Sequence, residues 1–199
     1  MSTEVWVPIL TTAIGAIGAL LTIRYKHKLE LKKLENEYEC PVVDAVEKDS
    51  ELIGKIADLL EVSGADRACI YQFHNGGEYY TGRSMQKVSM TYEVVNAGIS
   101  HLQVNRQNIP VSACNATLSP MVKERRLLIN DVDKDMDDSL CKFYALDAGT
   151  KSMYKWTIYD LQKRAIGYFQ VDYVTRKKKL SEEILQDLEM AAIKIAGYL

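Results

Sequence analysis

The sequence predicts an α+β fold: a mostly antiparallel sheet with terminal helices packed on it, preceded by an N-terminal transmembrane helix. Three observations predict it. Residues 5–23 contain no charged side chain. Four β-rich runs follow in two pairs, and each pair is joined by a short polar or glycine-containing stretch, as in antiparallel hairpins. Apolar residues at helical spacing lie on both sides of these runs.

Composition limits the class of protein. The chain has 199 residues, enough for one globular domain and an appendage. Its net charge of -2 argues against a nucleic-acid binder, which is usually strongly basic. The four cysteines include no CxxC pair, and the three histidines give no zinc-binding spacing. We therefore expect reduced thiols in a reducing compartment, and no metal site.

Residues 5–23 (VWVPILTTAIGAIGALLTI) predict a contact with the lipid bilayer. This uncharged stretch makes a helix about 28 Å long, close to the thickness of the hydrocarbon core. A cleaved signal peptide would need a basic start, but only Glu4 is charged before it. An interfacial helix would need a polar face, and a core helix is rarely this long and apolar. The basic residues that follow place the N-terminus outside and the main domain in the cytoplasm; they are Arg24, Lys26, Lys28, Lys32 and Lys33.

Two patterns near this anchor favour a homodimer. Small residues recur every four positions, which permits close packing of two helices in a membrane; they are Thr11, Gly15 and Ala19. A short coiled-coil-like seam follows, formed by Leu31, Leu34 and Tyr38. We assign residues 1–24 to the anchor, 25–48 to a juxtamembrane helical linker and 49–199 to the globular domain.

The first half of the globular domain is predicted to form a helix and a hairpin. After a break at Pro41, a helix over residues 42–62 carries an apolar stripe of Val43, Val46, Ile53, Ile56 and Leu60, and Gly64 is expected to end it. A strand over 68–74 meets a turn at 75–77 (Asn-Gly-Gly), and a strand over 85–95 alternates at Val88, Met90, Tyr92 and Val94.

The second half is predicted to begin with short helices and strands and to end with a strand pair and a helix. We expect an extended piece at 111–115, a helix capped by Ser119 and running through Arg126, a strand at 127–129, an acidic loop at 131–138 and a helical turn at 140–146. Strands over 152–159 and 165–174 are joined by a polar turn at 160–164, and Gly167 permits either a close backbone approach or a bulge. A closing helix starts at the cap Ser181 and runs to Leu199.

Three segments in this order resemble a GAF domain: the strand at 68–74, the run LLINDV at 127–132 and the ending AIGYFQVDY at 165–173. The resemblance covers residues 50–199. It implies an α-β-α sandwich with a ligand pocket between the sheet and the mid-chain loops, and dimerisation through the terminal helices. The stretches FHNGGEYYTGRSM and TYEVV also resemble short membrane-anchored GAF-like proteins of tailed phages.

The chain departs from the GAF pattern in ways that bear on ligands. It lacks an NKFDE-type signature, so cyclic nucleotides are not expected, and it lacks a Cys-His pair for a bilin. We expect no cofactor. The candidate ligand-binding residues are Phe73, His74, Asn75, Tyr80, Tyr92, Cys114 and Asp131. The alternative for the segment from His74 to Tyr80 is a plain hairpin loop with surface tyrosines.

Catalytic and metal patterns are weak. Cys69, Cys114 and Cys141 compare with the thiols of GAF-type free methionine sulfoxide reductases, but their spacing does not match well, and the sequence does not demonstrate a basic group near them in space. The alternating aspartates at 131–137 resemble a calcium loop, yet Met136 and Lys142 replace its Gly and Glu. We expect a solvated loop there and no catalytic residue.

The sequence therefore predicts a membrane-tethered cytoplasmic GAF-like module without enzymatic activity, which binds a small molecule or a protein partner. Its charge predicts that it does not bind nucleic acid. Two alternatives stay open. One is a phage membrane protein that acts on the host envelope or on lysis. The other is a GAF-type thiol redox enzyme.

Overall fold

A computed structural model describes the backbone of residues 3–38 and 41–199 and the side chains of residues 16–33, 42–43 and 45–199. The chain divides into two compact units, residues 1–47 and 48–199. No helix among the described residues is long and apolar enough to cross a membrane. Most of the predicted anchor lies outside the side chains described, including Thr11 and Gly15, and so do Leu34 and Tyr38 of the predicted seam.

Two long helices come first. Helix α1 spans Thr3–Tyr38 and helix α2 spans Pro41–Ser63. Gly64 follows in the left-handed conformation (φ 61°), as predicted. The predicted apolar stripe of α2 is partly wrong, because Val43, Val46 and Ile53 are all exposed. The buried face is instead formed by Leu52, Ile56 and Leu60, spaced four residues apart.

Six antiparallel strands form one sheet in the order β3-β2-β1-β6-β5-β4. The strands are β1 (Arg67–Glu78), β2 (Ser84–Val95), β3 (Ile109–Pro110), β4 (Arg126–Ile129), β5 (Ser152–Tyr159) and β6 (Ala165–Tyr173). The predicted strands over 85–95, 127–129, 152–159 and 165–174 are thus confirmed to within a residue at each end. The polar turn between β5 and β6 is confirmed as well.

The turn predicted at residues 75–77 is wrong. These residues stay in β1 as an irregularity in its pairing with β2, and the chain reverses at Tyr79–Arg83 instead. Gly77 takes a positive φ of 99°, and its N–H donates to the Asn75 side chain at 3.0 Å. Asparagine and glycine therefore favour a bulge here, which uses the same backbone conformations as a tight turn.

A second bulge divides β2 between the two faces of the sheet. Ile70 pairs with Tyr92, but its neighbour Tyr71 pairs with Met90, so Thr91 is the extra residue. Met90 consequently packs on one face of the sheet and Tyr92 on the other. The even alternation predicted across β2 is broken at this point.

The middle of the chain is more helical than predicted. Residues Val111–Cys114 form a 3₁₀ turn and not an extended piece, and α3 spans Asn115–Glu124 with Pro120 in its interior. Ser119 is therefore not the cap. Burial of Thr117, Leu118 and Met121 along one side of α3 outweighs the preference of proline for a first turn. Helices α4 (Val132–Asp135) and α5 (Leu140–Asp147) follow.

Each face of the sheet has its own core. On one face, α2 and α6 (Glu182–Ile195) pack against alternate strand residues such as Ile70, Trp156 and Phe169. Ser181 caps α6 as predicted, but the helix ends at Ile195 and not at Leu199. On the other face, α3 and the 3₁₀ turn cover Tyr71, Met90 and their neighbours. The homodimer through the terminal helices stays a prediction, since one chain is described.

Candidate functional site

A small cavity lies between the sheet and the helical middle of the chain. Its volume is about 40 Å³. One ordered water needs about 10–15 Å³ of such volume, so the cavity has room for a few waters or a molecule of a few heavy atoms. Its walls include residues from β1, β5, β6, the 3₁₀ turn and α5; we call it the inner cavity, and its main polar members are Tyr71, Arg106, Cys114, Cys141, Lys155 and Tyr168.

Strand periodicity puts the sheet residues in this cavity. In β5, Tyr154, Trp156 and Ile158 point to the core under α2 and α6, so Lys155 points to the opposite face. In β6, the same alternation brings Tyr168 to the cavity. The rings of Tyr71 and Tyr168 stack with centroids 4.6 Å apart and form part of the floor.

Lys155 is a buried cation without a carboxylate partner. Only 5% of the residue is exposed, and its Nζ lies 5.1 Å from the centroid of the Tyr168 ring. Among the described residues, none forms a hydrogen bond or an ion pair within 4.0 Å with this ammonium. Burying an unpaired charge is costly, and the aromatic contact offsets only about 0.5–2 kcal/mol of that cost. The inner cavity therefore presents a positive charge that forms no ion pair within 4.0 Å among the described residues, although the buried Asp172 carboxylate also lines the cavity.

Cys114 and Cys141 face each other beside Lys155. Both are free thiols, and both line the inner cavity and pack in the same cluster of side chains. The neighbouring Cys114 thiol, together with the Lys155 ammonium and the Thr117 hydroxyl, outweighs burial and lowers the pKa of Cys141 to about 6. The neighbouring Cys141 and burial raise the pKa of Cys114 well above its usual range. The pair thus favours the ionised form at Cys141 and the protonated form at Cys114.

A buried ionic network supports the sheet next to the cavity. Arg67 is 1% exposed and lies 3.2 Å from the carboxylates of both Glu93 and Asp172. Its Nε approaches Glu93 at an angle too poor for a hydrogen bond, whereas its Nη1 donates to Asp172. Burial raises the pKa of Asp172, and Arg67 and Gln170 counteract this by binding the ionised form. The network fixes strands β1, β2 and β6 to one another.

Arg106 closes the helical side of the cavity. Its guanidinium lies 4.3 Å from the centroid of the Tyr144 ring and donates hydrogen bonds to the Asp147 carboxylate at 3.1 Å and the Tyr144 carbonyl at 3.2 Å. Its charge is therefore already neutralised, in contrast to that of Lys155. The loop that carries Arg106 is held by backbone N–H groups that donate to the buried Glu93 carboxylate.

Four of the seven predicted ligand-binding residues lie in β1 or the turn that follows it, and none of the four lines the inner cavity. The Phe73 ring is 6.1 Å from that of Tyr168. His74 hydrogen-bonds a serine of β2 at 2.9 Å, and the Asn75 side chain accepts a backbone hydrogen bond inside the bulge. Tyr80 is fully exposed.

The other three predicted residues are widely separated. Tyr92 donates a 2.6 Å hydrogen bond to Asp49 on the far face of the sheet. Asp131 forms an ion pair with Lys177. Cys114 lines the inner cavity and is the member of the predicted set that the structure places there. Within the part of the chain that the structure describes, no group of three His, Cys, Asp or Glu side chains could hold a metal ion.

A separate depression of about 730 Å³ lies on the surface beside the hairpin turn. Tyr79, Tyr80, Arg83, Val111 and Asn115 contribute to it. Its volume falls in the range of about 300–1,000 Å³ that is usual for small-molecule sites. However, its tyrosines are exposed, so a ligand there would be held by surface side chains, whereas buried charged and nucleophilic groups converge on the inner cavity.

Sequence reasoning missed Lys155, the residue that sets the charge of the inner cavity. The strand over 152–159 was predicted, but a lysine within it is expected to face solvent, because a half-exposed antiparallel strand alternates polar and apolar residues. The available clue was the neighbouring strand, where Gln170 and Asp172 occupy equivalent alternate positions. Polar residues at paired positions on two adjacent central strands indicate a buried polar layer and not a solvent-exposed face.

No protein-family model matches the sequence, and no curated protein matches it significantly. Solved structures do match the fold. A far-red cyanobacteriochrome photoreceptor is 15% identical with a TM-score of 0.62, and 85% of this chain and 94% of that one are covered. The phycoerythrobilin-bound GAF domain of a cyanobacterial phytochrome is 19% identical with a TM-score of 0.61, with 79% and 87% covered.

A third similar structure is a domain of a two-component sensor histidine kinase protein from Sinorhizobium meliloti 1021. It is 15% identical, with a TM-score of 0.51 and coverage of 72% of this chain and 85% of that one. Identities this low establish architecture alone. The globular part of this chain therefore has a GAF-like α+β fold, built on a six-stranded antiparallel sheet.

Proposed function

We propose that this chain is a sensory binding module that takes a small polar molecule into the inner cavity and has no catalytic activity of its own. The observation that carries the proposal is the buried Lys155 ammonium, which lines this cavity without a carboxylate partner among the described residues. The cavity also lies between the sheet and the helical middle, where the resemblance to GAF domains implies a ligand pocket. The similar photoreceptor domains bind chromophores, which favours ligand binding here.

The size of the cavity restricts the class of ligand. A linear tetrapyrrole such as a bilin is far larger than 40 Å³. The stacked Tyr71 and Tyr168 rings and the Arg106–Tyr144 contact fill the space that a larger ligand would need. We therefore expect a compact polar ligand of a few heavy atoms, with a group that accepts hydrogen bonds from Lys155.

Ligand binding is testable by thermal unfolding of the full-length chain against a library of compact metabolites. A ligand at 100 times its dissociation constant stabilises the folded state by about 2.7 kcal/mol, which raises the Tm of a domain this size by about 5–10 °C. We expect Lys155→Met to abolish this shift. The matched control is Lys123→Met, because Lys123 is exposed on α3. A library without a stabilising compound, or a shift that persists in Lys155→Met, would contradict the proposal.

We also propose that residues 5–23 tether the module to the inner face of a membrane. The support is the uncharged sequence of this stretch, the basic residues after it, and the exposure of Ile17, Leu20, Leu21 and Ile23, which are all at least 58% exposed. We expect the full-length chain to resist extraction from membranes by alkaline carbonate, and Leu20→Arg/Leu21→Arg to release it. Recovery of the unmodified chain in the aqueous fraction without detergent would exclude the tether.

A further inference from the structure

Two cysteines meet in the inner cavity although they are distant in the sequence. Cys114 ends the 3₁₀ turn and is 5% exposed, and Cys141 lies in the first turn of α5 with intermediate exposure. Both line the cavity and pack in the same cluster of side chains. A partly accessible thiol with a second thiol beside it in the same cavity is the arrangement in which oxidation of the first can lead to a disulfide with the second.

The surroundings of Cys141 favour its reactive form. The neighbouring Cys114 thiol lowers the pKa of Cys141 most, and the Lys155 ammonium and the buried Thr117 hydroxyl lower it further. The thiolate is the nucleophilic form of cysteine. Cys69 lies on the same face of the sheet but differs from Cys141. It is fully buried, and desolvation raises its pKa well above the usual range.

The cavity next to this thiolate suits a small oxidant. Its 40 Å³ can hold a molecule with two or three heavy atoms, such as hydrogen peroxide, and the positive charge of Lys155 faces it. Oxidants that carry a large organic group would clash with the stacked tyrosines. The same geometry that disfavours a bilin thus favours a small hydroperoxide.

We infer that a small hydroperoxide which enters the inner cavity oxidises Cys141, and that Cys114 then closes a reversible Cys114–Cys141 disulfide. This inference goes beyond the proposed function, because it requires no reversibly bound ligand and stands even if no metabolite stabilises the fold. The disulfide would join the end of the 3₁₀ turn to α5, two segments that both form walls of the cavity.

The chemistry balances in two steps. The Cys141 thiolate sulfur attacks one peroxide oxygen, the O–O bond breaks, and the leaving hydroxide takes a proton from Lys155 to become water. The Cys141 sulfenic acid is then attacked by the sulfur of Cys114; the S–O bond breaks, and the hydroxyl group leaves with the Cys114 proton as a second water. One peroxide is reduced and two thiols are oxidised, and an added dithiol reverses the change by thiol–disulfide exchange.

The test uses the reduced full-length chain in detergent, treated with hydrogen peroxide and digested without reductant. We expect mass spectrometry to find one Cys114–Cys141 peptide pair that dithiothreitol removes. Cys141→Ser should abolish the disulfide, and Cys114→Ser should leave a Cys141 sulfenic acid that dimedone traps. A disulfide that involves Cys40 or Cys69 instead would overturn the inference. The absence of any disulfide in the unmodified chain would also overturn it, and this outcome can be observed without making a variant.

The role of Lys155 as a positioning residue has its own readout. The rate of Cys141 alkylation by iodoacetamide should rise with pH to a plateau with a midpoint near pH 6. We expect Lys155→Met to move this midpoint upward and to slow oxidation at neutral pH by roughly ten-fold. The other charged or titratable groups that line the cavity are the stacked tyrosines, Arg106, Cys114, Tyr144 and Asp172. An alkylation midpoint near that of an ordinary thiol in the unmodified chain would contradict the assignment.

Discussion

Replacing Arg67 with methionine is expected to lower the free energy of unfolding by about 3–5 kcal/mol, because the change leaves two buried carboxylates without their shared cation. Glu93 and Asp172 are 0% and 2% exposed in this network. Arg67 also donates a 3.0 Å hydrogen bond to the Ser100 carbonyl, which would be lost. Denaturant unfolding of the full-length chain followed by circular dichroism measures the effect.

Arg126→Met is the matched control for this prediction. Arg126 pairs with Glu189, but the two side chains are 36% and 46% exposed. Ion pairs of this kind contribute about 0–1 kcal/mol, so the control should change the stability little. Equal effects of the two substitutions would show that the Arg67 network contributes no more than a surface pair.

The cost of Arg67→Met should also depend on pH. Burial raises the pKa of Asp172, so the folded state binds a proton more tightly at this carboxyl than the unfolded state does. Such a group stabilises the fold where it is protonated, and its contribution declines as the pH rises from the unfolded pKa to the folded one. Without the guanidinium, the pKa of Asp172 rises further. The loss of stability is thus expected to be smaller at about pH 5 than at about pH 8.

Gly167→Ala is the second substitution with a large expected effect. A Cβ atom at this position would lie 2.2 Å from the carbonyl oxygen of Tyr71 in the neighbouring strand. Since that oxygen belongs to the backbone, β1 and β6 would have to separate locally. We expect a loss of roughly 3 kcal/mol, at the upper end of the cost of overpacking a core.

Gly54→Ala provides the comparison for Gly167→Ala. A Cβ atom at Gly54 would meet nothing within 4 Å, and the residue is exposed in the interior of α2. Alanine is the better helix former by about 1 kcal/mol, so this change should raise the stability slightly. If Gly167→Ala were tolerated as well as Gly54→Ala, the close approach of β1 and β6 would not be a constraint on the fold.

Local rules predicted the elements whose ends depend on one or two residues. Gly64 ends α2 because a left-handed residue is needed there, and Ser181 starts α6 because its hydroxyl accepts the N–H of Ile184. The close approach at Gly167 was also predicted from a glycine inside a strand. At both helix ends the decisive interaction lies within a few residues of the sequence signal, whereas Gly167 meets the backbone of Tyr71 in a distant strand.

The candidate site could not be predicted in the same way, because it depends on pairing between distant segments. Asn75–Gly77 is compatible with either a turn or a bulge, and the register of β1 against β2 decides between them. Cys114 and Cys141 meet only when the 3₁₀ turn and α5 pack on the same face of the sheet. Lys155 was overlooked because both faces of β5 are covered, so a polar residue there does not mark a solvent-facing side.

The extra residue at Thr91 makes the length of β2 a requirement of the whole architecture. Val88 and Met90 before it pack in the layer that contains the thiols, and Tyr92 and Val94 after it pack in the layer beneath the terminal helices. Deleting one residue here would exchange the partners of every side chain on one side of the deletion, whatever their chemistry. The number of residues in β2 is therefore constrained separately from the identity of its side chains.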